Sequence, residues 1–334
     1  MNAQNKPKAL VLLSGGLDST LAVKLLLEQG VEVEAINFVS PFCLCNKGGC
    51  GAQKVAKNLN VPMKTMQLGK DYLQIVRKPR YGYGKNMNPC IDCRILLFKK
   101  AKKYAKEIGA SFIATGEVLG QRQMSQHGNT LALIEEKAGL SGMVLRPLSG
   151  KLLPPTEVEK FLVKRDTLLG IQGRSRKAQL SLAKELNVKG YSCPGGGCLL
   201  TCEEFVAKLK DLFEHKRRVS MKDLQLLKIG RHFRSGNNKI IVGRNEHENR
   251  ILLQVKEKSD FTFEAQNTGS PLALLQGPKT QAAIETAADL TAYHCDIKQG
   301  FVTVKYGKQE QNRSIKALVP SRETVDKFRL RAGK

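Results

Sequence analysis

The first thirty residues contain the pattern that most restricts the fold of this chain. Residues 9–13 read ALVLL, an uninterrupted apolar strand, and they lead into SGGLDS and then into the helical pattern of residues 17–29. A strand without polar alternation is typical of a parallel sheet that is covered on both faces. A strand, a Gly-Gly turn and a helix in direct succession therefore predict an α/β domain with a parallel sheet.

The same alternation of strands and helices continues along the first half of the chain. Because the carboxyl ends of parallel strands form a ligand crevice, functional side chains are expected where these strands end. Residues 147–155 are rich in Pro and Gly and predict a loop. Further strands are predicted at residues 33–38, 63–68 and 111–115, and further helices at residues 52–59, 90–108, 157–169 and 176–186.

The composition changes near a basic run, HKRRVSMK, at residues 215–222. Beyond it, residues 239–242, 251–255 and 301–304 have the pattern of short strands in a smaller unit. We therefore predict two domains, a parallel α/β domain at residues 1–219 and an α+β domain at residues 220–334.

Charge and hydropathy narrow the class of partner. The chain has 55 Lys and Arg against 30 Asp and Glu, a formal net charge of +25, which favours a polyanion such as nucleic acid. No apolar stretch approaches the roughly 18 residues that span a membrane, and MNAQNKPK has no signal-peptide pattern. We expect a cytoplasmic protein without a membrane partner, in which cysteines stay reduced.

The SGGLDS segment predicts an anion site. Backbone N–H groups of Gly15 and Gly16 and the start of the helix favour a bound phosphate, and the hydroxyls of Ser14 and Ser19 can donate to its oxygens. Asp18 is suited to orient the first helical turn or to hold Mg²⁺. A plain strand-to-helix turn is the alternative, but capping alone does not require Ser-Gly-Gly together with Asp-Ser.

Cysteines in two segments have the spacing of metal ligands. Cys90 and Cys93 form a CxxC turn at a helix start, and Cys193, Cys198 and Cys202 lie in YSCPGGGCLLTC. Three thiolates would hold a 4Fe-4S cluster with one iron open, whereas structural zinc prefers four protein ligands. A cluster, a disulfide or persulfide relay, and zinc remain open from spacing alone.

Four other cysteines carry weaker signals. PFCLCNKGGC places Cys43, Cys45 and Cys50 directly after the second strand, but CxC spacing without an evident fourth ligand is a weak zinc pattern. Cys295 is more typical of a small buried side chain than of a catalyst.

SGGLDS resembles the pyrophosphatase loop (PP-loop) of the N-type ATP pyrophosphatases. TGEVLGQRQMSQ, RPLSGKLLPPTEVEK, GRSRKAQ and GGGCLLT resemble the thiouridine synthases of that superfamily. The resemblance implies ATP, with Ser14 to Ser19 on its phosphates and Gly116 near its adenosine. It also implies that Cys90, Cys93 and Cys198 hold a 4Fe-4S cluster. Cys202 replaces an expected Asp and Cys193 has no usual counterpart, so the third ligand stays open among them.

The second domain resembles the NFACT RNA-binding domain, through GRHFR at residues 230–234 and VGRNEHEN at residues 242–249. The resemblance implies an RNA partner. Basic side chains are the expected phosphate contacts because guanidinium groups bind two phosphate oxygens at once. The predicted contacts are Arg174, Arg176 and Lys177 before this domain and Arg217, Arg218, Arg231, Arg234 and Arg244 in or beside it.

Together these observations predict an ATP- and Mg²⁺-dependent tRNA sulfurtransferase with Asp18, Cys90, Cys93 and Cys198 as catalytic residues. It would adenylate a uridine carbonyl, release pyrophosphate and AMP, and insert sulfur from sulfide or another donor, giving 4-thiouridine at position 8. The alternatives are a 2-thiouridine synthase that uses a cysteine persulfide, a small-molecule amidotransferase or synthetase, and a non-enzymatic RNA-binding module gated by nucleotide.

Overall fold

The computed structural model describes residues 6–43, 51–191 and 197–331, except for the side chain of residue 161. Two compact units divide the chain, Met1–Thr201 and Cys202–Lys334. None of the helices in the described ranges combines the length and the apolar composition that crossing a membrane requires.

A five-stranded sheet forms the centre of the first unit, and all its strand pairs are parallel in the order β3-β2-β1-β4-β5. The central strand is apolar from Ala9 to Leu12 because both of its faces are buried there: Ala9 and Val11 join one core, Leu10 and Leu12 the other. The strands are β1 Lys8–Leu12, β2 Glu32–Val39, β3 Met63–Gln67, β4 Phe112–Thr115 and β5 Val144–Leu145.

Within the described residues of the first unit, seven α-helices connect or cover these strands. They are α1 Leu17–Glu28, α2 Gly51–Asn58, α3 Lys70–Arg77, α4 Cys90–Glu107, α5 Gly128–Ala138, α6 Glu157–Phe161 and α7 Lys177–Glu185. The predicted helix at residues 157–169 is too long: α6 ends at Phe161, and a 3-10 turn at Arg165–Thr167 follows. The parallel α/β architecture itself is confirmed.

The second unit contains a six-stranded antiparallel sheet in the order β11-β10-β8-β9-β7-β6. It confirms the smaller α+β domain. Its strands are β6 Arg231–Ser235, β7 Asn238–Val242, β8 Phe261–Ala265, β9 Ala273–Gln276, β10 Phe301–Gly307 and β11 Arg313–Leu318. Its helices are α8 Glu203–His215, α9 Met221–Leu226, α10 Glu246–Val255, α11 Gln281–Tyr293 and α12 Arg322–Phe328.

The predicted strand at residues 251–255 is wrong, because these residues end helix α10. The Asn245 side chain caps this helix by accepting a hydrogen bond from the Glu248 amide at 3.0 Å. A short apolar run such as ILL fits a strand or a helix equally well. Here the cap and the burial of Leu252 favour the helix.

The boundary between the compact units lies between Thr201 and Cys202, whereas the sequence predicts it at residue 220. Helix α8 explains the difference. Its Asp211 binds Arg234 and Lys239 on the antiparallel sheet, so the helix packs with the second unit. The functional assignment of the two ranges stays a prediction.

Candidate active site

The SGGLDS loop lies at the carboxyl end of β1, where a parallel sheet places its ligand crevice. Its hydroxyls are joined to each other: the Oγ atoms of Ser14 and Ser19 are 3.1 Å apart, and Ser19 Oγ also donates to the Gly16 carbonyl at 3.0 Å. The Gly16 amide points towards Ser14 Oγ at 3.4 Å. The loop therefore presents an amide and hydroxyls beside the start of α1, which is the arrangement of a phosphate site.

Two glycines allow the backbone around this loop to approach very closely. Gly15 has φ +78°, and a Cβ there would lie 2.2 Å from the Ala52 amide nitrogen. A Cβ on Gly116, directly after β4, would lie 2.4 Å from the Ser19 nitrogen and from the Asp18 carbonyl carbon. Both positions require glycine because the neighbouring atoms belong to the backbone and cannot turn aside.

Asp18 has one carboxylate oxygen that is available to a ligand. Its Oδ2 atom accepts a hydrogen bond from Gln121 Nε2 at 3.2 Å. Its Oδ1 atom is buried and has no hydrogen-bond partner among the described residues. A buried carboxylate oxygen without a partner next to a phosphate loop suits Mg²⁺, which prefers carboxylate and phosphate oxygens.

The CxxC pair lies at the start of helix α4. Cys90 is the first residue of the helix and Cys93 lies in its first turn, where the helix dipole favours a negative sulfur. Asp92 holds this turn in place, because its carboxylate accepts hydrogen bonds from the backbone amides of Arg80 and Tyr81, each at 3.0 Å. The Tyr72 hydroxyl hydrogen bonds to the Cys93 thiol from the neighbouring helix.

Backbone hydrogen bonds bring Cys198 to this pair from a distant part of the chain. Cys198 forms an isolated antiparallel bridge with Cys43, and the Leu199 amide donates to the Phe42 carbonyl at 2.8 Å. On the other side, the Met87 amide donates to the Leu200 carbonyl at 3.1 Å. Cys198 is thus held between the end of β2 and the residues that precede α4.

One cavity of about 350 Å³ joins the two predicted sites. The sequence did not assign Cys43 to this site, although its position directly after β2 was a signal. The lining residues include Ser14, Gly16, Asp18, Ser19, Gly116, Cys43, Cys90, Cys93, Cys198, Arg122 and Arg176. The phosphate loop and four thiols therefore share one space.

Burial raises the pKa of all three predicted ligand thiols: that of Cys90, that of Cys93 and that of Cys198, the last to about 12. Without a bound cation these sulfurs are neutral thiols at physiological pH. A thiolate-ligated metal centre supplies the positive charge that would ionise them.

The donor chemistry therefore fits a cluster of iron and sulfide. As the side chains stand, no three Cys, His, Asp or Glu residues within the described ranges converge as metal ligands.

A buried ionic cluster borders the cavity, where Glu117 and Arg94 belong to the lining. Burial raises the pKa of the Glu117 carboxyl, but Arg94 and Arg146 together bring it below its usual range. Arg146 Nε is 3.1 Å and Arg94 Nε 3.3 Å from this carboxylate. Arg146 also pairs with Glu135. Glu117 is thus neutralised by two guanidinium groups, which favours a structural role.

The remaining predicted cysteines take different positions. Cys45, Cys50 and Cys193 lie outside the described residues. Cys202 is exposed, precedes α8 and belongs to the second unit, and Cys295 is buried in the core of that unit. Among the described cysteines none forms a disulfide.

The predicted RNA contacts of the first unit lie at the start of α7. Arg174 and Lys177 are exposed, whereas Arg176 is half-buried and lines the cavity. Arg176 therefore faces the space into which the phosphate loop and the thiols open.

The predicted RNA contacts of the second unit differ in their exposure and in their hydrogen bonds to other protein groups. Arg217 and Arg218 are exposed. Arg231 donates to the Gly243 carbonyl at 3.2 Å. Arg234 binds both carboxylate oxygens of Asp211, and Arg244 binds Glu248. These three arginines are engaged by carbonyl or carboxylate groups of the second unit.

Family models match both parts of the chain. Residues 4–152 match the model described as "Thiamine biosynthesis protein (ThiI)", and residues 230–329 match the "NFACT protein RNA binding domain". The chain joins a ThiI domain to an NFACT RNA-binding domain. The ThiI match contains the phosphate loop, Cys43, Cys90 and Cys93, whereas Cys198 lies beyond it.

Individual relatives match parts of the chain. A tRNA-specific 2-thiouridylase MnmA from Psychromonas ingrahamii is 28% identical over 181 residues, which are 49% of this chain and 49% of that protein. The chain thus spans about half the length of this curated relative, and 36% of a second MnmA, from Syntrophotalea carbinolica.

Two solved structures are also similar. The crystal structure of a 4-thiouridine synthetase–RNA complex with bound ATP has 25% identity and a TM-score of 0.38, covering 66% of this chain and 52% of that chain. The U34-tRNA thiolase NcsA from Methanococcus maripaludis, with its [4Fe-4S] cluster, has 20% identity and a TM-score of 0.33, covering 67% and 74%. TM-scores this low establish no common arrangement.

Proposed function

We propose that this protein is an ATP-dependent tRNA sulfurtransferase that acts in the cytoplasm and replaces a uridine carbonyl oxygen with sulfur. The observation that carries the proposal is the single cavity of about 350 Å³ lined by both the phosphate loop and the thiols Cys90, Cys93 and Cys198. Activation of a carbonyl and its attack by sulfur need their reactive groups in one space. The ThiI match over residues 4–152 and the relatives named as tRNA thiolating enzymes support the same reaction.

The loop performs the first half-reaction. Ser14, Gly16 and Ser19 bind ATP phosphates, and Asp18 Oδ1 would hold Mg²⁺, which would neutralise phosphate charge. The uridine carbonyl oxygen attacks the α-phosphorus, the bond to the β-phosphate breaks, and pyrophosphate leaves. Gly116 lets the end of β4 pack directly against the loop, and the adenosine would lie beside it. Arg176 neutralises phosphate charge at the cavity wall.

The thiols perform the second half-reaction. Cys90, Cys93 and Cys198 would hold a 4Fe-4S cluster, which would supply iron to bind the sulfide used in this step. Sulfur attacks the adenylated carbon, the C–O bond breaks, and AMP leaves. Tyr72 orients the Cys93 sulfur through its hydroxyl hydrogen bond. We infer 4-thiouridine at tRNA position 8 as the product.

An in vitro assay with ATP, sulfide and unmodified tRNA tests the reaction, with mass spectrometry of the nucleosides as the readout. Asp18→Ala should abolish thiolation and leave tRNA affinity unchanged, and Asp166→Ala, at an exposed turn, should retain full activity. Loss of tRNA affinity alone in Asp18→Ala would instead support a nucleotide-gated binding module. ATP cleavage that needs ammonia rather than tRNA would support an amidotransferase.

Iron analysis after anaerobic purification tests the ligands. Cys90→Ser, Cys93→Ser and Cys198→Ser should each lose iron and visible absorbance, whereas Cys295→Ser should keep both. Cys43→Ser should also keep the iron, because three ligands suffice. A colourless protein with stoichiometric zinc would contradict the cluster.

A second candidate is a 2-thiouridine synthase that uses a cysteine persulfide. The backbone β-bridge that places Cys43 opposite Cys198 favours it, because two neighbouring cysteines suit a persulfide carrier and a resolving thiol. The MnmA relatives are named for this product. It predicts 2-thiouridine in the nucleoside digest, full activity without iron, and loss of activity in Cys43→Ser.

A further inference from the structure

The two faces of the antiparallel sheet in the second unit are covered to different extents. On one face, Val302, Val304 and Ala317 of β10 and β11 are buried in a core to which α11 contributes. On the other face, α9 and α10 pack against Ile241 and Leu274, which belong to β7 and β9. Strands β10 and β11 lie at the opposite edge of the sheet from β7.

On the second face, β10 and β11 carry exposed apolar side chains. Phe301 is 71% exposed, and its register partner Leu318 is 54% exposed. Directly opposite residues of an antiparallel pair point to the same face, so the ring and the leucine lie side by side. We call the set Phe301, Thr303, Lys305, Lys316 and Leu318 the open face.

The open face is basic beside this apolar pair. Lys316 lies opposite Thr303 and is the diagonal neighbour of Phe301 on the adjacent strand. Lys305 lies on the same strand as Thr303, two residues further along. The acidic register partner at this face is Glu264, opposite Lys305. Within the described ranges neither lysine is 4.0 Å or less from a carboxylate oxygen, so both charges are available.

We propose that the open face binds an unpaired base of RNA, with the Phe301 ring stacked on the base, Leu318 packed at its edge, and Lys316 and Lys305 on flanking phosphates. Exposed aromatic rings on a sheet beside lysines are a recurrent platform for single-stranded nucleic acid. The proposal rests on the proposed RNA binding of the second unit. A second copy of the chain fits less well, because like-charged lysines would meet across the interface.

The chain contains no Trp, so Phe301→Trp introduces a single fluorescent reporter at the platform. Its emission should be quenched by an unmodified tRNA transcript and by a short single-stranded RNA, because stacking on a base quenches indole. A blunt RNA duplex offers no unpaired base and should quench little. Leu253→Trp, on exposed helix α10, is the matched control and should respond to none of the three.

Affinity measurements separate stacking from general apolar contact. Phe301→Ala and Phe301→Leu should weaken tRNA binding roughly tenfold, and Phe301→Tyr should retain it, since one stacked base contributes about that much. Lys316→Gln should lower the salt slope of binding by about one. Unchanged thermal melting would show that the variants are folded.

Three outcomes would overturn the inference. Unquenched Phe301→Trp emission, with normal tRNA affinity of Phe301→Ala, leaves the proposed function intact but removes the platform. Emission that depends on protein concentration without RNA would mark a self-association surface. If the unaltered chain fails to bind tRNA, both the proposed function and the platform are wrong.

Discussion

At the scale of single residues, the site depends on positions where one atom more cannot be accommodated. Gly116 is one of them, because a methyl group there would lie 2.4 Å from backbone atoms of Asp18 and Ser19. The loop would have to move away from the end of β4, and with it the phosphate-binding groups.

Gly116→Ala is therefore expected to reduce ATP affinity by at least tenfold and to abolish AMP formation, measured by calorimetry and by AMP release. Gly128→Ala is the matched control, because nothing lies within 4 Å of a Cβ at that helical position. It should leave ATP binding unchanged and slightly stabilise α5. Equal loss in both variants would contradict a specific clash at the loop.

The buried carboxylate of Glu117 gives a second prediction at this scale. Glu117→Gln removes the charge that balances Arg94 and Arg146, and breaking a buried ion pair in this way costs about 3 kcal/mol of unfolding free energy. Urea unfolding measures the loss at neutral pH. Glu136→Gln, whose exposed carboxylate pairs with Lys137, should cost less than about 1 kcal/mol.

The pH dependence of this difference checks its electrostatic origin. Because the folded-state pKa of Glu117 is below its usual range, its stabilisation is complete above that range and is lost as the pH falls through the folded-state pKa. The two proteins should therefore converge in stability under acid conditions. A difference that persists unchanged in acid would point to packing instead.

At the scale of elements, one carboxylate of helix α8 binds two basic side chains of the antiparallel sheet. Asp211 binds Arg234 through two hydrogen bonds, at 2.7 and 2.6 Å, and lies 3.5 Å from Lys239 Nζ. Burial lowers the pKa of Lys239 to about 8, so this lysine depends on Asp211 to keep its charge.

Asp211→Asn should destabilise the protein by about 3 kcal/mol, because it leaves two largely buried cations without a counterion. Thermal and urea unfolding measure the change. Asp326→Asn, which removes an equivalent charge from more exposed arginine partners, should cost less than about 1 kcal/mol. Similar losses in both variants would contradict a special role for the α8 contact.

At the scale of the whole molecule, the net charge of +25 makes tRNA affinity strongly dependent on salt. Arg217→Gln together with Arg218→Gln should reduce the slope of log affinity against log salt by about two. Arg322→Gln with Arg331→Gln removes the same charge from other exposed positions of the second unit, outside the basic run at residues 215–222, and should change the slope less. Equal changes would mean that only net charge matters.

The sequence determined the local features that depend on neighbouring residues. ALVLL followed by SGGLDS predicted a buried strand, a glycine turn and a helix. The hydrophobic period and the backbone freedom of glycine depend only on residues adjacent in sequence. The CxxC pair was likewise assigned to a helix start. The strand predicted for ILLQV at residues 251–255 was wrong, because a short apolar run does not show which period it follows. The residue that caps the helix, Asn245, lies upstream of this run.

Only the tertiary structure decided which distant residues meet. Cys198 joins Cys90 and Cys93 because backbone hydrogen bonds to Phe42 and from Met87 hold its segment. Cys43 shares the cavity because β2 ends beside it, and Arg234 faces Asp211 because α8 packs on the sheet. No spacing within one segment encodes such contacts, since they depend on the sheet order and on hydrogen bonds between segments far apart in the chain.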